Sequence, residues 1–260
     1  MLGAIAGDVV GSVYERHPVK RTDFPLFSPG CRFTDDTVLT VATAEAIRTG
    51  TPYAQAYRSW TRRYPRAGYG GLFLQWALSD APGPYGSFGN GSAMRVSPVG
   101  WAFEDLEGVL AEAEQSARAT HDHPEGVKGA QAVAAAVFLA RTGASKEELR
   151  RYVEARFGYD LSVPLARVRP AYGFDVTCQG SVPPALRAFL ESEDFEGALR
   201  NAVSLGGDAD TQACMAGAVA EAFYGGVPPA VRKEVLGRLD RDLKQAVAAF
   251  QEAFGPSRPG

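Results

Sequence analysis

Apolar residues recur along this chain at the three- and four-residue spacing of buried helix faces, and almost nowhere with the alternation of a half-buried strand. Thr34-Asp35-Asp36-Thr37 leads into Val38–Arg48, where Val38, Leu39, Val41, Ala42, Ala46 and Ile47 predict a well-buried helix. Pro52–Tyr64 carries Tyr53, Tyr57, Trp60 and Tyr64 on one stripe, which reads as a core or interface face rather than a cofactor box. Leu72–Leu78 is a further short helix, Leu106–Arg118 an acidic surface helix, and Glu125–Arg141 a long run of Ala and Val. Ser145–Phe157 opens on a capping-box pair, Ser145 and Glu148. Pro183–Leu190, Phe195–Leu205, Gln212–Tyr224, Pro228–Leu239 and Leu243–Phe254 complete the helices, and Gly255–Gly260 is a frayed tail. Convincing strand pairs and repeats are absent. The pattern predicts an all-α fold, one compact domain over residues 1–260.

The first apolar stretch departs from this pattern. Gly3–Tyr14 has glycines at positions 3, 7 and 11, a thin stripe on one helix face where a second backbone can approach closely. Asp8 interrupts it, as either a buried, hydrogen-bonded structural carboxylate or a group that supports a ligand. Glu15 follows where that helix should end, so a solvated helix-end carboxylate is one reading of it.

Two helix starts are more acidic than capping requires. One is Thr34, Asp35 and Asp36; the other is Asp208, Asp210 and Thr211, after the sharp turn allowed by Gly206 and Gly207. Like charges this close repel, and ionising all of them costs energy unless a cation or several donors lie between them. A helical core that brought both starts together would offer only oxygen ligands, which suit Mg²⁺, Mn²⁺ or Ca²⁺ rather than zinc. Taken singly, each is equally an acidic helix start that complements the macrodipole.

Ala81–Ser92 is a glycine-rich loop feeding a helix start, and its unpaired N–H groups suit phosphate oxygens better than a hairpin turn. Thr120-His121-Asp122-His123-Pro124 has no further zinc ligand nearby, so substrate contact or helix capping by Thr120 or Asp122 is the reading taken. Gly158–Gly180 is the least regular span, a long loop or inserted cover.

Composition narrows the function classes. Charged residues make up 22 % of the chain and the net charge is −3, so no general nucleic-acid or membrane footprint is expected. Cys31, Cys178 and Cys214 form no CxxC pattern and read as reduced thiols. The absence of a signal peptide or long apolar span points to a cytoplasmic protein.

Taken in order, Gly7-Asp8…Glu15, Thr34-Asp35-Asp36-Thr37, Gly89-Asn90-Gly91-Ser92-Ala93-Met94-Arg95, Thr120-His121 and Gly206-Gly207-Asp208-Ala209-Asp210-Thr211 resemble the ADP-ribosylglycohydrolase family. The set spans Gly3 to Tyr224. The resemblance implies an all-α fold around two Mg²⁺ ions, with Mn²⁺ an alternative. Thr34, Asp35 and Asp36 would bind one ion, Asp208 and Thr211 the other, and Asp210 would be shared. It implies ADP-ribose or an ADP-ribosylated substrate, held at the diphosphate by Gly86-Ser87-Phe88-Gly89-Asn90-Gly91-Ser92 and contacted by His121. Glu15 matches the family's mobile acidic residue, and Glu15 and Asp35 are the expected catalytic groups. A silent ADP-ribose binder of the same fold is the alternative.

Overall fold

The computed structural model of the protein describes residues 1–80 and 83–255. In chain order the helices are α1 (Leu2–Gly11), α2 (Asp35–Thr49), α3 (Tyr53–Arg63), α4 (Gly71–Leu78), α5 (Gly91–Met94) and α6 (Ser97–Ala102). Next come α7 (Leu106–Arg118), α8 (Pro124–Arg141), α9 (Lys146–Phe157), α10 (Leu165–Val168) and α11 (Cys178–Leu190). The chain closes with α12 (Phe195–Val203), α13 (Ala209–Phe223), α14 (Pro229–Arg238) and α15 (Arg241–Phe254). Among the described residues there is no strand, only one antiparallel bridge between Gly89 and Thr177. The all-α expectation holds. Ala81 and Pro82 of the glycine-rich loop, and the tail beyond Gly255, lie outside the described residues.

The centre of the fold is the pair α1 and α13. Every residue of α1 is buried, as are Ala209–Ala222 of α13. Their backbones touch because the glycine stripe removes the side chains that would separate them. A Cβ on Gly7 would lie 1.9 Å from the Ala213 carbonyl oxygen, and one on Gly3 would lie 2.2 Å from that of Gly217. A Cβ on Gly11 would fall 2.4 Å from the Cα of Asp210. The stripe therefore sets where Asp210 sits relative to the end of α1. Around this pair pack α2, α11, α12 and the Ala/Val-rich α8, and among the described residues no helix is long and apolar enough to cross a membrane.

Two local readings change. Helix α11 begins five residues before the predicted Pro183, with both prolines inside it. Thr177 caps it by accepting from Gly180 N–H at 3.0 Å, and the Gly180 carbonyl, which Pro184 cannot serve, accepts from Tyr172 Oη at 2.9 Å. Helix α8 is capped by His123, whose Nδ1 accepts from Glu125 N–H at 3.1 Å, rather than by Thr120 or Asp122. All three cysteines are free and buried. Burial pushes the Cys178 thiol up to about 12.

Candidate functional site

Both acidic helix starts open on one cleft of about 440 Å³, lined by Glu15, Thr34, Asp35, Asp36, Asp208, Asp210 and Thr211. The N-termini of α2 and α13 meet there, beside the end of α1. Asp8, from inside α1, ties the first of them down. Its carboxylate accepts from Thr34 N–H at 2.9 Å, Thr34 Oγ1 at 2.7 Å, Thr37 N–H at 3.1 Å and the Thr37 hydroxyl. Four donors nearly saturate it, so Asp8 organises the first turn of α2.

Asp36 connects the two starts across the sequence: its Oδ2 lies 3.3 Å from Thr211 Oγ1 and 3.4 Å from Thr34 Oγ1. Its Oδ1 is buried with no hydrogen-bond partner. Oxygens of Asp8, Asp36 and Asp210 lie within 4.8 Å of one another, and so do those of Glu15, Asp208 and Asp210. Asp210 belongs to both groups. Asp208 occupies the N-cap position of α13 without capping it; its Oδ2 accepts from Asn90 Nδ2 at 2.7 Å instead. Asp35 is half-buried on the cleft wall, outside both triads, with its N–H on the Ala67 carbonyl at 3.0 Å.

Burial raises all of these carboxyl groups, and repulsion from neighbouring carboxylates adds to it for Glu15, Asp35, Asp36 and Asp210. Asp36 and Asp210 are held well above the usual carboxylate range by burial first, then by Asp8 for Asp36 and by Asp36 for Asp210. Asp35 is pushed up to about 8 by burial and by Asp8. Asp208 is raised by burial against the pull of its hydrogen bonds, and Glu15 by burial and Asp208. An oxygen-only donor set, an orphaned buried carboxylate oxygen and mutual repulsion together fit a hard divalent cation.

The glycine-rich loop forms the adjoining wall through Ser87, Gly89, Asn90 and Gly91. The N–H groups of Gly86, Ser87 and Phe88 have no acceptor among the described residues, whereas Gly89 N–H donates to Ser87 Oγ and Asn90 N–H to the Val176 carbonyl. The loop leads into a single helical turn, α5, so its donors come from loop backbone more than from a helix dipole. Gly86, Phe88 and Ser92 stand outside the cleft lining. Phe88 is exposed with its ring 5.3 Å from that of His123, and the Ser92 hydroxyl donates to the Gly126 carbonyl at 2.7 Å.

His121 faces this loop: a Cβ on Gly91 would lie 3.3 Å from its Nε2. Behind it sits Arg95, fully buried, with its guanidinium 4.0 Å from the Tyr57 ring centroid. Arg95 Nη2 donates to Ser116 O at 3.1 Å and to Thr120 Oγ1 at 2.8 Å, and Thr120 Oγ1 lies 2.7 Å from His121 Nδ1. Arginine has only donors, so the Thr120 hydroxyl accepts from it and can give its own proton to Nδ1. In that arrangement His121 is the Nε2–H tautomer, with its donor on the side of the loop. Burial, and then Arg95, hold its pKa well below the ordinary value.

The expectations from sequence that single out Arg95 only as a motif member miss its place under the loop. The visible signal is a lone arginine between Met94 and Val96 in an otherwise apolar run. Arg16 and Arg32, which also line the cleft, carry no signal beyond standing beside Glu15 and two residues before Thr34.

The family model described as ADP-ribosylglycohydrolase matches residues 1–259. The chain is 28 % identical to the ADP-ribosylhydrolase ARH3 of Mus musculus, over 86 % of this chain and 82 % of that protein. It is also 28 % identical to the ADP-ribosylarginine hydrolase Tri1 of Pseudomonas putida, over 88 % and 71 %. A solved structure titled ADP-ribosylglycohydrolase-related protein complex superimposes with a TM-score of 0.72 at 30 % identity, covering 97 % of this chain and 95 % of that one. With a match over nearly its whole length, the chain belongs to the ADP-ribosylglycohydrolase family.

Proposed function

We propose that the protein is a metal-dependent ADP-ribosyl hydrolase that cleaves the glycosidic bond between the distal ribose of ADP-ribose and an acceptor. The observation that carries this reading is the convergence of Asp36, Asp208, Asp210 and Glu15, with one orphaned oxygen on Asp36, beside a loop with free N–H donors. Thr34, Asp35 and Asp36 would hold one divalent ion, Asp208 and Thr211 a second, with Asp210 between them; Mg²⁺ is the expected metal. Such ions, when bound, screen the carboxylates and polarise ribose hydroxyls.

The chain's own residues do the rest. The N–H of Ser87, on the cleft wall, and the Nε2–H of His121 supply donors for the diphosphate. Asn90 holds the loop against Asp208, and so fixes the distance from diphosphate to ribose. Cleavage breaks the bond from the anomeric carbon to the acceptor atom as positive charge builds on the ribose. Glu15, with its pKa raised, donates the proton that the leaving acceptor needs, and Asp35, kept ionised by the cation it would help to hold, takes one from the attacking water.

The experiment is release of ADP-ribose from a panel of arginine-, serine- and O-acyl-linked conjugates, with Mg²⁺ and with a chelator. Release from at least one conjugate, lost on chelation, is expected. Asp210→Asn should lower it by about 100-fold or more with an unchanged helical spectrum. Tight binding of ADP-ribose with no release from any conjugate would instead identify a silent binder.

A further inference from the structure

Beyond the acidic cluster the cleft changes sign. Asp208 is next to the loop through Asn90, Glu15 is next to Asp208 and Asp210, and the guanidinium groups of Arg16 and Arg32 act on the Glu15 carboxylate. Arg16, directly after Glu15 in the chain, and Arg32, two residues before Thr34, line the same cleft as the acids and the loop. Arg16 and Arg32 are the exposed charged residues of the lining; its other charged groups are buried or half-buried. Neither guanidinium has a hydrogen bond or ion pair among the described residues. Both are free to meet a ligand.

This arrangement has a consequence that rests on the proposed hydrolase reading. With the diphosphate on the loop and the distal ribose over the acids, an acceptor that leaves past Glu15 does so in the cleft that Arg16 and Arg32 line. A guanidinium acceptor, as in arginine-linked ADP-ribose, would meet two like charges there, which is unfavourable for binding. We propose that Arg16 and Arg32 select an acceptor with negative charge next to the linkage, an O-linked ADP-ribosyl group on an acidic peptide segment. A nucleic-acid end is a poorer fit: a chain of net charge −3 offers, among the described residues, only this exposed pair at the cleft, and phosphate backbones are held by rows of cations.

The test uses two fluorescent peptides that carry ADP-ribose through a sulfur atom, a linkage that resists hydrolysis, one flanked by glutamates and one by lysines. Fluorescence anisotropy with the metal-loaded protein should show the acidic peptide binding about tenfold more tightly at low ionic strength, as expected for two exposed charge pairs, with the ratio shrinking in high salt. The double variant Arg16→Glu/Arg32→Glu should invert the preference, and Arg16→Lys/Arg32→Lys should keep most of it. Equal affinities, or a ratio that charge reversal does not move, would overturn the inference. So would tighter binding of an ADP-ribosylated 5′-phosphorylated oligonucleotide than of the acidic peptide. Serine-linked versions of the same peptides then report released ADP-ribose. Failure of release refutes the hydrolase reading, while the affinity ratio still decides the charge preference.

Discussion

A histidine that must donate to phosphate is useful only while the correct nitrogen carries the proton, and here that is arranged from behind. Arg95 takes up one lone pair of the Thr120 hydroxyl, and when that hydroxyl gives its proton to Nδ1 the chain Arg95–Thr120–His121 leaves Nε2–H facing the loop. Thr120→Val keeps the shape and removes the relay. The ¹⁵N shifts of the imidazole should then show mixed tautomers, and ADP-ribose affinity should fall by about tenfold, the scale of one charge-assisted hydrogen bond. Thr120→Ser should retain both. The pH dependence follows from the same burial. Because the pKa of His121 is depressed in the folded state, the unfolded chain binds a proton that the folded chain does not. Its contribution to stability is complete above the unfolded value of about 6.5 and is lost as pH falls below it. In thermal melts, the wild type's margin over His121→Gln should therefore narrow between about pH 7 and about pH 5.

At the scale of elements, the contact between α1 and α13 and the open face of α14 make opposite predictions for two glycines. Gly7→Ala would drive a methyl group into the Ala213 backbone, so a loss of about 2–3 kcal/mol is expected, about 5–10 °C in melting temperature. Gly237 lies inside α14 with nothing within 4 Å of where a Cβ would stand, and Gly237→Ala should stabilise by about 0.5–1 kcal/mol through helix propensity. The stripe of glycines 3, 7 and 11 was legible in the sequence because only close backbone approach explains three small residues at helical spacing. The acidic starts at Asp35 and Asp208 were legible for a similar reason, since each holds more charge than a cap needs. The start of α11 was not, because Pro183 and Pro184 mark a helix start locally while Tyr172 satisfies the carbonyl they leave open. Nor was the role of Arg95, which depends on Ser116 and Thr120 being brought to it by the packing of α7 against α5. Helix boundaries follow local chemistry; the partners of a buried charge follow tertiary packing.

For the whole molecule, the acidic cluster is a place where the fold stores repulsion that a cation can relieve. Asp36 enters from the start of α2 and Asp210 from the start of α13, 174 positions later, and neither has a cationic side chain against it among the described ion pairs. Ions bound there would join the segment around α2 to the segment around α13, and binding to the folded chain alone stabilises it by mass action. At a metal concentration about 100 times the dissociation constant this is worth about 2.7 kcal/mol per site, so Mg²⁺ should raise the melting temperature by about 5–10 °C over the chelated protein. Asp36→Asn separates a metal ligand from a structural carboxylate. It removes one of the repelling charges but keeps the size of the side chain. In chelator the variant should melt no lower than the wild type, and the increment from Mg²⁺ should be largely lost, as read by calorimetry with and without metal. A variant that melts well below the wild type in chelator yet keeps the full Mg²⁺ increment would make Asp36 a structural group that holds α2 to α13, and would move the metal elsewhere.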